Sequence, residues 1–316
     1  MSPRARAYFE LVRVPNLFTA PPDVIAGAAI SGVFSGIESI DGALPLGLAC
    51  AASMSLYAGG VALNDVIDAA QDAHERPERP IPSGRIARGA AAHVTVEHFA
   101  AGLLLAACVG LLSPGAGVRP GCVAAVLATT IVAYNVFKRS VLGPALMGLC
   151  RGINFLLGAS LHPAFSIEAL VRHHVAWPLA AGCLAVYVAG LTVFARHEVG
   201  TSKRLALLPG WLGMLAGLAL MPIVVEISPS SPGDAQHGLG VIVSAVLLMT
   251  VMVAIGVTSI TRSSAEATRG AVGGLIALIV LIDAALASLG AGVAGWLATA
   301  GFLLPYLALK RRFAPT

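Results

Sequence analysis

Three aspartates, Asp65, Asp68 and Asp72, stand where a long apolar segment gives way to a polar one. Their spacing of i, i+3 and i+7 places all three carboxylates on one face if the segment is helical. Like charges in one row repel each other unless a cation joins them. Hard oxygen ligands suit Mg²⁺, which commonly bridges one or two carboxylates to substrate phosphates. The pattern therefore predicts a magnesium and phosphate site. The alternative is a solvated helix end that pairs with Arg76 or Arg79.

The segments that must position this acidic stripe (Asp65, Asp68 and Asp72) are those of a membrane protein. Of the 316 residues, 57% are hydrophobic and 11% charged, whereas soluble domains carry about 25% charged residues. A membrane span needs about 20 mostly apolar residues, and this criterion predicts an all-α fold, a polytopic membrane helical bundle of nine or ten spans in a single domain over residues 1–316. The last two candidate spans are alternatively one hairpin broken around Gly290 and Gly292. The ten candidates are Leu17 to Ile37, Ala43 to Leu63, Ala90 to Leu112, Gly121 to Phe137, Val141 to Leu161, Val175 to Ala195, Leu205 to Val225, Leu239 to Ile260, Ala271 to Leu289 and Val293 to Leu309.

The distribution of basic residues predicts the orientation of the bundle. With the N-terminus inside, seventeen of the 20 lysines and arginines fall in inside segments, and short cytoplasmic connections are enriched in these residues. We therefore expect an integral protein of a bacterial-type inner membrane, with both termini and the acidic stripe at the cytoplasmic face. Arg4, Arg6 and Arg13 lead into the first span without a cleavage site, so this helix is expected to stay in the mature protein. A formal charge of +4 gives little support for a nucleic-acid partner.

Two motifs resemble those of the UbiA-type prenyltransferase superfamily. The stripe, preceded by Asn64 and followed by RPIPSG over residues 79–84, is similar to that family's NDxxDxxxD and RPxxxG signature. The run YNVFKR over residues 134–139 is similar to its tyrosine and lysine motif between the fourth and fifth helices. The resemblance implies that the carboxylates of the stripe and Asn64 hold Mg²⁺ against a diphosphate. It also implies that Arg79, Lys138 and Arg139 contact the diphosphate oxygens.

The implied activity is transfer of an isoprenyl group from an isoprenyl diphosphate to an acceptor that the sequence does not identify. The physical argument agrees, because departure of diphosphate leaves an allylic cation, and metal ions with Arg or Lys stabilise the charge that builds on the leaving oxygens. A central cavity among the helices would bury the isoprenyl tail and exclude water from the cation. For Lys138 and Arg139, anchoring at the membrane surface is an equally good interpretation.

A second acidic motif that this family usually carries is incomplete in the present sequence. Glu198 is the only acidic residue in the corresponding stretch, residues 192–204, and it joins the stripe as a candidate catalytic residue. A second metal site is in doubt. Either one Mg²⁺ suffices, or Arg196, Lys203 and Arg204 supply positive charge directly to phosphate.

The variant second motif also bears on which branch of the superfamily the sequence resembles. Together with RGINFLLG over residues 151–158, it is similar to the EboC branch, which is found in gene clusters for secondary metabolites. In that stretch His197 is a candidate base toward an acceptor hydroxyl, although an interfacial histidine without such a role is the simpler interpretation. The branch matters because it leaves the acceptor open.

Ionisable residues also lie inside the predicted spans. Arg151 and Asp283 fall near the middle of the fifth and ninth spans, and ionisable groups at such depth usually face a cavity or each other. We expect Arg151 to face the central cavity as a further diphosphate ligand, with Asp283 as its pairing partner. Asp23 and Glu97 lie nearer the cytoplasmic ends and are expected to reach water in structural roles.

Two other functions remain open on the sequence alone. A secondary transporter could use the acidic stripe to bind cations, but it would be favoured by paired internal repeats with broken helices, and repetition here is weak. A magnesium-dependent alcohol phosphotransferase is also membrane-bound, but its usual DGxxAR signature is absent from the sequence.

Overall fold

The computed structural model describes residues 2–37, 39–113, 115–196, 204–228, 234–262 and 265–313, and these residues form helices, turns and short connections. Two short 3-10 helices, Phe34–Gly36 and Arg204–Leu207, accompany the α-helices of this part of the chain. The α-helices are α1 (Pro3–Leu11), α2 (Val14–Leu17), α3 (Pro21–Ile30), α4 (Ile40–Glu75), α5 (Arg88–Leu112), α6 (Arg119–Phe137), α7 (Gly143–Ala159), α8 (Ile167–Arg172), α9 (Ala176–Ala195), α10 (Leu208–Ala219), α11 (Met221–Ile227), α12 (Asp234–Arg262), α13 (Ala265–Ala300) and α14 (Leu303–Phe313).

The polytopic all-α fold predicted from the sequence is confirmed. Within the described residues, 7 helical segments are long and apolar enough to cross a membrane. Three features of the helices explain why this number is smaller than the ten spans predicted from the sequence. Helix α3 has 10 residues and α7 has 17, both short of the length of about 20 residues that spans a bilayer. The last of the seven, Gly270–Phe313, contains a break.

This break reverses the chain where the sequence places the alternative hairpin, at residues 290–292. Ala291 and Gly292 leave the helical conformation, and Gly292 has φ +55° and ψ −145°, a region that side chains with a Cβ rarely adopt. Beyond the break the chain runs back along the first part of α13. The hydrogen bond from the Tyr306 hydroxyl to the carbonyl oxygen of Gly273, at 3.2 Å, shows this path. The final segments therefore form an antiparallel pair.

Helix α4 positions the acidic stripe. It runs for 36 residues from Ile40 to Glu75, which corresponds to about 54 Å at 1.5 Å per residue. Since the hydrocarbon core of a bilayer is about 30 Å thick, the predicted second span, Ala43 to Leu63, continues as helix well beyond the membrane. The stripe therefore lies on regular helical backbone at one end of the bundle.

Helices α3 and α7 cross at very close range. A Cβ atom on Gly27 would overlap the carbonyl oxygen of Phe155, and one on Gly158 would overlap that of Val24. With no side chain between the two backbones, the polar residues of α3 come into direct contact with those of α7. Helices from the two ends of the chain also pack together, α14 against α2 and α13 against α3. This packing supports the predicted single domain over residues 1–316, which stays a prediction.

The close crossing predicts that Gly158→Ala destabilises the protein. The added methyl group overlaps the Val24 carbonyl, and relieving the overlap requires separating α3 from α7, for which overpacking costs of about 1–3 kcal/mol are typical. Thermal unfolding of the detergent-solubilised protein measures the loss. Gly182→Ala in α9 is the matched control, because a Cβ at Gly182 meets nothing within 4 Å. Equal losses in the two variants would contradict the close crossing.

Candidate active site

A cavity of about 360 Å³ lies in the middle of the bundle, beside the acidic end of α4. Its apolar wall comes mainly from α6, α9 and α13, including Leu127, Leu191 and Ile276. Its polar lining comes mainly from α2, α4, α6 and α7. The polar residues are Arg13, Asn16, Ser53, Tyr57, Asn64, Tyr134, Asn135, Arg151, Asn154 and Thr192.

At the acidic end, Asp65 and Asp72 share one guanidinium group. Arg79 Nη1 donates to Asp72 Oδ2 at 2.6 Å and to Asp65 Oδ1 at 3.3 Å. Arg13 Nη2 donates to the same Asp65 oxygen at 3.1 Å. Asp65 and Asp72 are 4% and 5% exposed. Two carboxylates so far from water are stable together only when cations compensate them, and Arg79 and Arg13 provide that compensation.

Asp68 faces a different pair of cations. Lys138 Nζ donates to Asp68 Oδ2 at 2.5 Å, and Arg139 Nη2 donates to Asp68 Oδ1 at 3.1 Å. Arg139 also donates to Gln71. Lys138 and Arg139 directly follow α6, so these bonds connect the end of α6 to the acidic end of α4.

The stripe consequently differs from the single three-carboxylate centre predicted from the sequence. At 100° per residue, Asp72 lies about 20° from Asp65 around the helix axis, but Asp68 lies about 60° away. Asp65 and Asp72 both contact Arg79. Asp68 contacts Lys138 and Arg139 instead. In the described part of the chain, no group of three or more His, Cys, Asp or Glu side chains is arranged to hold a metal ion.

The remaining pair still fits a Mg²⁺ ion that is partly held by a diphosphate. Asp65 and Asp72 offer hard oxygen ligands two turns apart, and the cationic group of Arg79 already bridges them. Mg²⁺ commonly takes one or two carboxylates and completes its shell with water and substrate phosphates. The geometry therefore favours Asp65 and Asp72 as metal ligands, and Asp68 as the residue that holds Lys138 and Arg139.

Asn64 is fixed at the cavity wall by a second asparagine. Its Nδ2 donates to Asn135 Oδ1 at 3.1 Å, and Asn135 Nδ2 donates to the carbonyl oxygens of Gly60 and Ile131 at 3.2 and 3.0 Å. Asn135 belongs to the YNVFKR run, but it was not among the site residues predicted from the sequence. Its burial, at 2% exposed, marks it as part of the site.

From the sequence, Arg13 is one of several basic residues expected at the cytoplasmic face, whereas in the structure it is part of the site. Its φ of +49° is the only positive φ among the described residues other than glycine. This left-handed conformation separates α1 from α2 and lets the guanidinium reach both the cavity and Asp65. Sequence spacing carries no signal of this contact, because the two residues are 52 positions apart.

Arg151 faces the cavity, as predicted, but it lies deeper than a diphosphate ligand should. Its guanidinium carbon is 5.9 Å from the centre of the Tyr57 ring. Tyr57 precedes Asp65 by eight residues on α4, which is about 12 Å along the helix axis. Thr19 receives hydrogen bonds from Arg151 at its hydroxyl, 2.7 Å, and at its carbonyl oxygen, 2.5 Å. A role at the diphosphate is therefore not supported by this position.

The partner of Arg151 is Asp23, at 3.0 Å, and the predicted pairing with Asp283 is corrected. The expectation that Asp23 reaches water is also wrong, because its exposed fraction is 0%. The predicted span begins at Leu17, but the helix breaks and restarts at Pro21, which places Asp23 inside the bundle against α7. Asp283 is likewise 0% exposed, and it interacts electrostatically with both Asp23 and Arg151.

The candidates around the incomplete second motif are only partly described. Arg196 Nη2 donates to the carbonyl oxygens of Lys138 and Ser140 at 2.9 and 2.7 Å, so it holds the connection after α6. Glu198 and Lys203, like His197, lie outside the described residues. The side chain of Arg204 also lies outside them.

These features define a helical membrane protein with an internal cavity and a charged cluster at one end of it. Among known proteins, digeranylgeranylglyceryl phosphate synthase of Halobacterium salinarum is 31% identical over 223 residues, covering 70% of this chain and 69% of that relative. The chain belongs to the UbiA-type prenyltransferase superfamily. No family model matches the chain.

Other relatives match over shorter segments. A protein of the same name from Ignicoccus hospitalis is 40% identical over 112 residues, covering 35% of this chain and 34% of the relative. One from Methanothermobacter thermautotrophicus is 33% identical over 151 residues, covering 48% of this chain and 49% of the relative. The chain therefore matches only a third to a half of the length of these two relatives.

Solved structures show the same fold. A UbiA homolog from Aeropyrum pernix K1 superposes with a TM-score of 0.65 at 18% identity, covering 88% of this chain and 96% of that one. A chain from work on the biosynthesis of digeranylgeranylglyceryl phosphate synthase in membranes gives 0.61 at 19% identity, covering 92% and 99%.

Proposed function

We propose that the protein is a membrane prenyltransferase, which moves an isoprenyl group from an isoprenyl diphosphate to an acceptor. The observation that carries this proposal is the charged cluster beside an apolar cavity. Four cations, Arg13, Arg79, Lys138 and Arg139, contact the carboxylates of the stripe. A ligand with an anionic head and an apolar tail matches both parts of this arrangement.

We infer that these cations bind the diphosphate head. The carboxylates hold Arg13, Arg79 and Lys138 at the end of the cavity. When the bond between the isoprenyl carbon and the diphosphate oxygen breaks, charge builds on that oxygen, and prepositioned Arg and Lys side chains stabilise it. Bound Mg²⁺ would neutralise part of the same charge, with Asp65 and Asp72 as its ligands.

The apolar wall protects the carbon side of the reaction. Departure of the diphosphate leaves an allylic cation, which water would capture in place of the acceptor. Val188 and Leu191 of α9 and Ile276 of α13 line the cavity, and such apolar side chains exclude water. From the distribution of basic residues, we infer that this end of the bundle lies at the cytoplasmic face.

The acceptor is the least determined part of the reaction. The names of the relatives make a prenylated glyceryl phosphate the first acceptor to test. The EboC-like resemblance stays a prediction, and it favours a different acceptor. Because these relatives are named as synthases, they support a transferase over the transporter and the alcohol phosphotransferase considered above.

The direct test is release of diphosphate from geranylgeranyl diphosphate by the purified protein in lipid nanodiscs. We expect release that requires Mg²⁺ and increases when geranylgeranylglyceryl phosphate or a lipid extract is added. Mass spectrometry of the extract identifies the alkylated product. Folded protein that releases no diphosphate from isoprenyl diphosphates of any chain length would contradict the proposal.

Substitutions of Lys138 and Arg139 distinguish two hypotheses for these residues, diphosphate binding and anchoring at the membrane surface. The side chain of Lys138 is 12% exposed and that of Arg139 is 69% exposed. We expect Lys138→Met to lower turnover about 10-fold to 100-fold, because a charge-assisted bond near the leaving oxygen is lost. Arg139→Met serves as the matched control and is expected to have a much smaller effect. Turnover close to the wild-type level in both variants would favour anchoring.

A further inference from the structure

Helix α5 carries a carboxyl group on the side that faces away from the bundle. Glu97 is exposed and is the only carboxylate of this helix, which packs mainly against α4 and α6. No hydrogen bond or ion pair joins Glu97 to another residue in the described part of the chain. Ionisable side chains within a membrane span usually face a cavity or a partner group. Among the described residues of one copy, Glu97 has neither.

The position of Glu97 along α5 places it inside the span. It is the tenth of the 25 residues of this helix, about 14 Å from the helix start. A Cβ atom on Gly59 of α4 would lie 3.3 Å from the carbonyl oxygen of Thr95 and 3.2 Å from the ring of Phe99. Because Glu97 is midway between those two residues, it is level with Gly59. Gly59 precedes Asp65 by six residues, which is about 9 Å along α4 toward the middle of the bundle.

The exposed face of α5 has the spacing of a helix that pairs with another helix. The buried residues Thr95, Gly102 and Val109 lie on the opposite side of α5. Along the exposed face, six positions follow one another at intervals of 4, 3, 4, 3 and 4 residues, the spacing of a seam between two helices. We call this face the α5 seam, and its residues are His93, Glu97, Ala100, Leu104, Ala107 and Leu111. Small residues such as its two alanines let helix backbones approach closely in a membrane.

His93 is the residue of the α5 seam that complements Glu97. Its Nδ1 lies 2.8 Å from the carbonyl oxygen of Gly89, and because a carbonyl oxygen only accepts, Nδ1 carries the hydrogen. In the neutral ring Nε2 is then an acceptor, which can take a hydrogen bond from a protonated carboxyl group. In the charged ring Nε2 donates to a carboxylate. Contact with lipid accounts for the apolar residues of the seam, but it does not satisfy His93 and Glu97.

We propose that the protein forms a homodimer through the α5 seam, in which Glu97 of each copy pairs with the partner's His93. Two copies inserted the same way are related by a two-fold axis along the membrane normal, so their α5 helices run parallel and in register. In a parallel pair, each seam residue packs among partner residues at its own level and one turn away. Glu97 and His93 are one turn apart, so the polar contact forms twice, once on each side of the axis.

Subunit counting in liposomes tests the homodimer. Protein that carries a fluorescent label is reconstituted at increasing dilution in lipid, and photobleaching steps give the dimer fraction at each dilution. We expect the wild type to be dimeric and Glu97→Leu to weaken association about 10-fold, because two polar contacts between helices are lost. Glu97→Gln should retain most of the association, since its amide still donates to Nε2 of the partner's His93.

A matched pair of bulky substitutions locates the interface. Ala100→Phe places a ring between the two helices and should leave the protein monomeric. Ala125→Phe makes the same change at an exposed position of α6, outside the α5 seam, and should leave the dimer fraction unchanged. A wild type that is monomeric at every dilution, as expected if Glu97 reaches water on its own, would overturn the homodimer. Equal losses in Ala100→Phe and Ala125→Phe would overturn the assignment to α5. No substrate is present, so neither result depends on the proposed reaction.

Discussion

Asp65→Asn is expected to lower diphosphate release at least about 100-fold, the loss typical when one prepositioned electrostatic group is removed from an active site. Asp65 contacts both Arg13 and Arg79 and is one of the two carboxylates that fit Mg²⁺. Asp72→Asn should have a similar effect, since Asp72 shares Arg79. Asp68→Asn should have a smaller effect, because Asp68 acts through Lys138. Steady-state release from geranylgeranyl diphosphate over a range of Mg²⁺ concentrations measures all three.

Glu75→Gln is the matched control for these variants. Glu75 ends the same helix and is exposed, and its carboxylate accepts a hydrogen bond from Gln71 at 2.6 Å. The substitution removes the same charge from the same helix end, and Glu75 is bonded to Gln71 rather than to one of the aspartates of the stripe. Release that stays at the wild-type level in Asp65→Asn, or falls equally in Glu75→Gln, would remove the stripe from the reaction.

Arg151→Met is expected to destabilise the fold by about 3–5 kcal/mol, the usual cost of removing one partner of a buried ion pair. The change leaves the Asp23 carboxylate inside the bundle without its cation and removes two hydrogen bonds to Thr19. Asp23→Asn should be similarly harmful. Asp283→Asn should cost much less, because the direct ion pair of Arg151 is with Asp23. Thermal or denaturant unfolding in detergent measures each loss.

Arg172→Met controls for the loss of an arginine as such. Arg172 pairs with Glu168 at 3.4 Å, but both side chains are largely exposed, and exposed pairs contribute at most about 1 kcal/mol. If Asp283→Asn destabilised the protein as much as Asp23→Asn, the assignment of Asp23 as the partner of Arg151 would be incorrect.

The sequence by itself determined the class of fold and the position of the charged cluster. Apolar segments of membrane-spanning length admit few structures other than helices, because backbone polar groups in lipid must pair within their own segment. The i, i+3, i+7 spacing of the stripe sets the directions of its side chains on the local helix, and the packing of the helices does not change it. Lys138 and Arg139 belong to a short contiguous motif, so the sequence alone is enough to predict them as part of the cluster.

Tertiary structure decided which of these groups meet. Arg13 reaches Asp65, and Arg151 reaches Asp23, across separations of 52 and 128 residues, and no periodicity encodes contacts of that kind. Whether Asp23 lay in water or in the core depended on a helix break before Pro21 and on the close crossing at Gly27 and Gly158. The division of the stripe between two sets of cations followed from how α6 and the loop after α4 pack around it, since a helix fixes the directions of its side chains but not the partners that it meets.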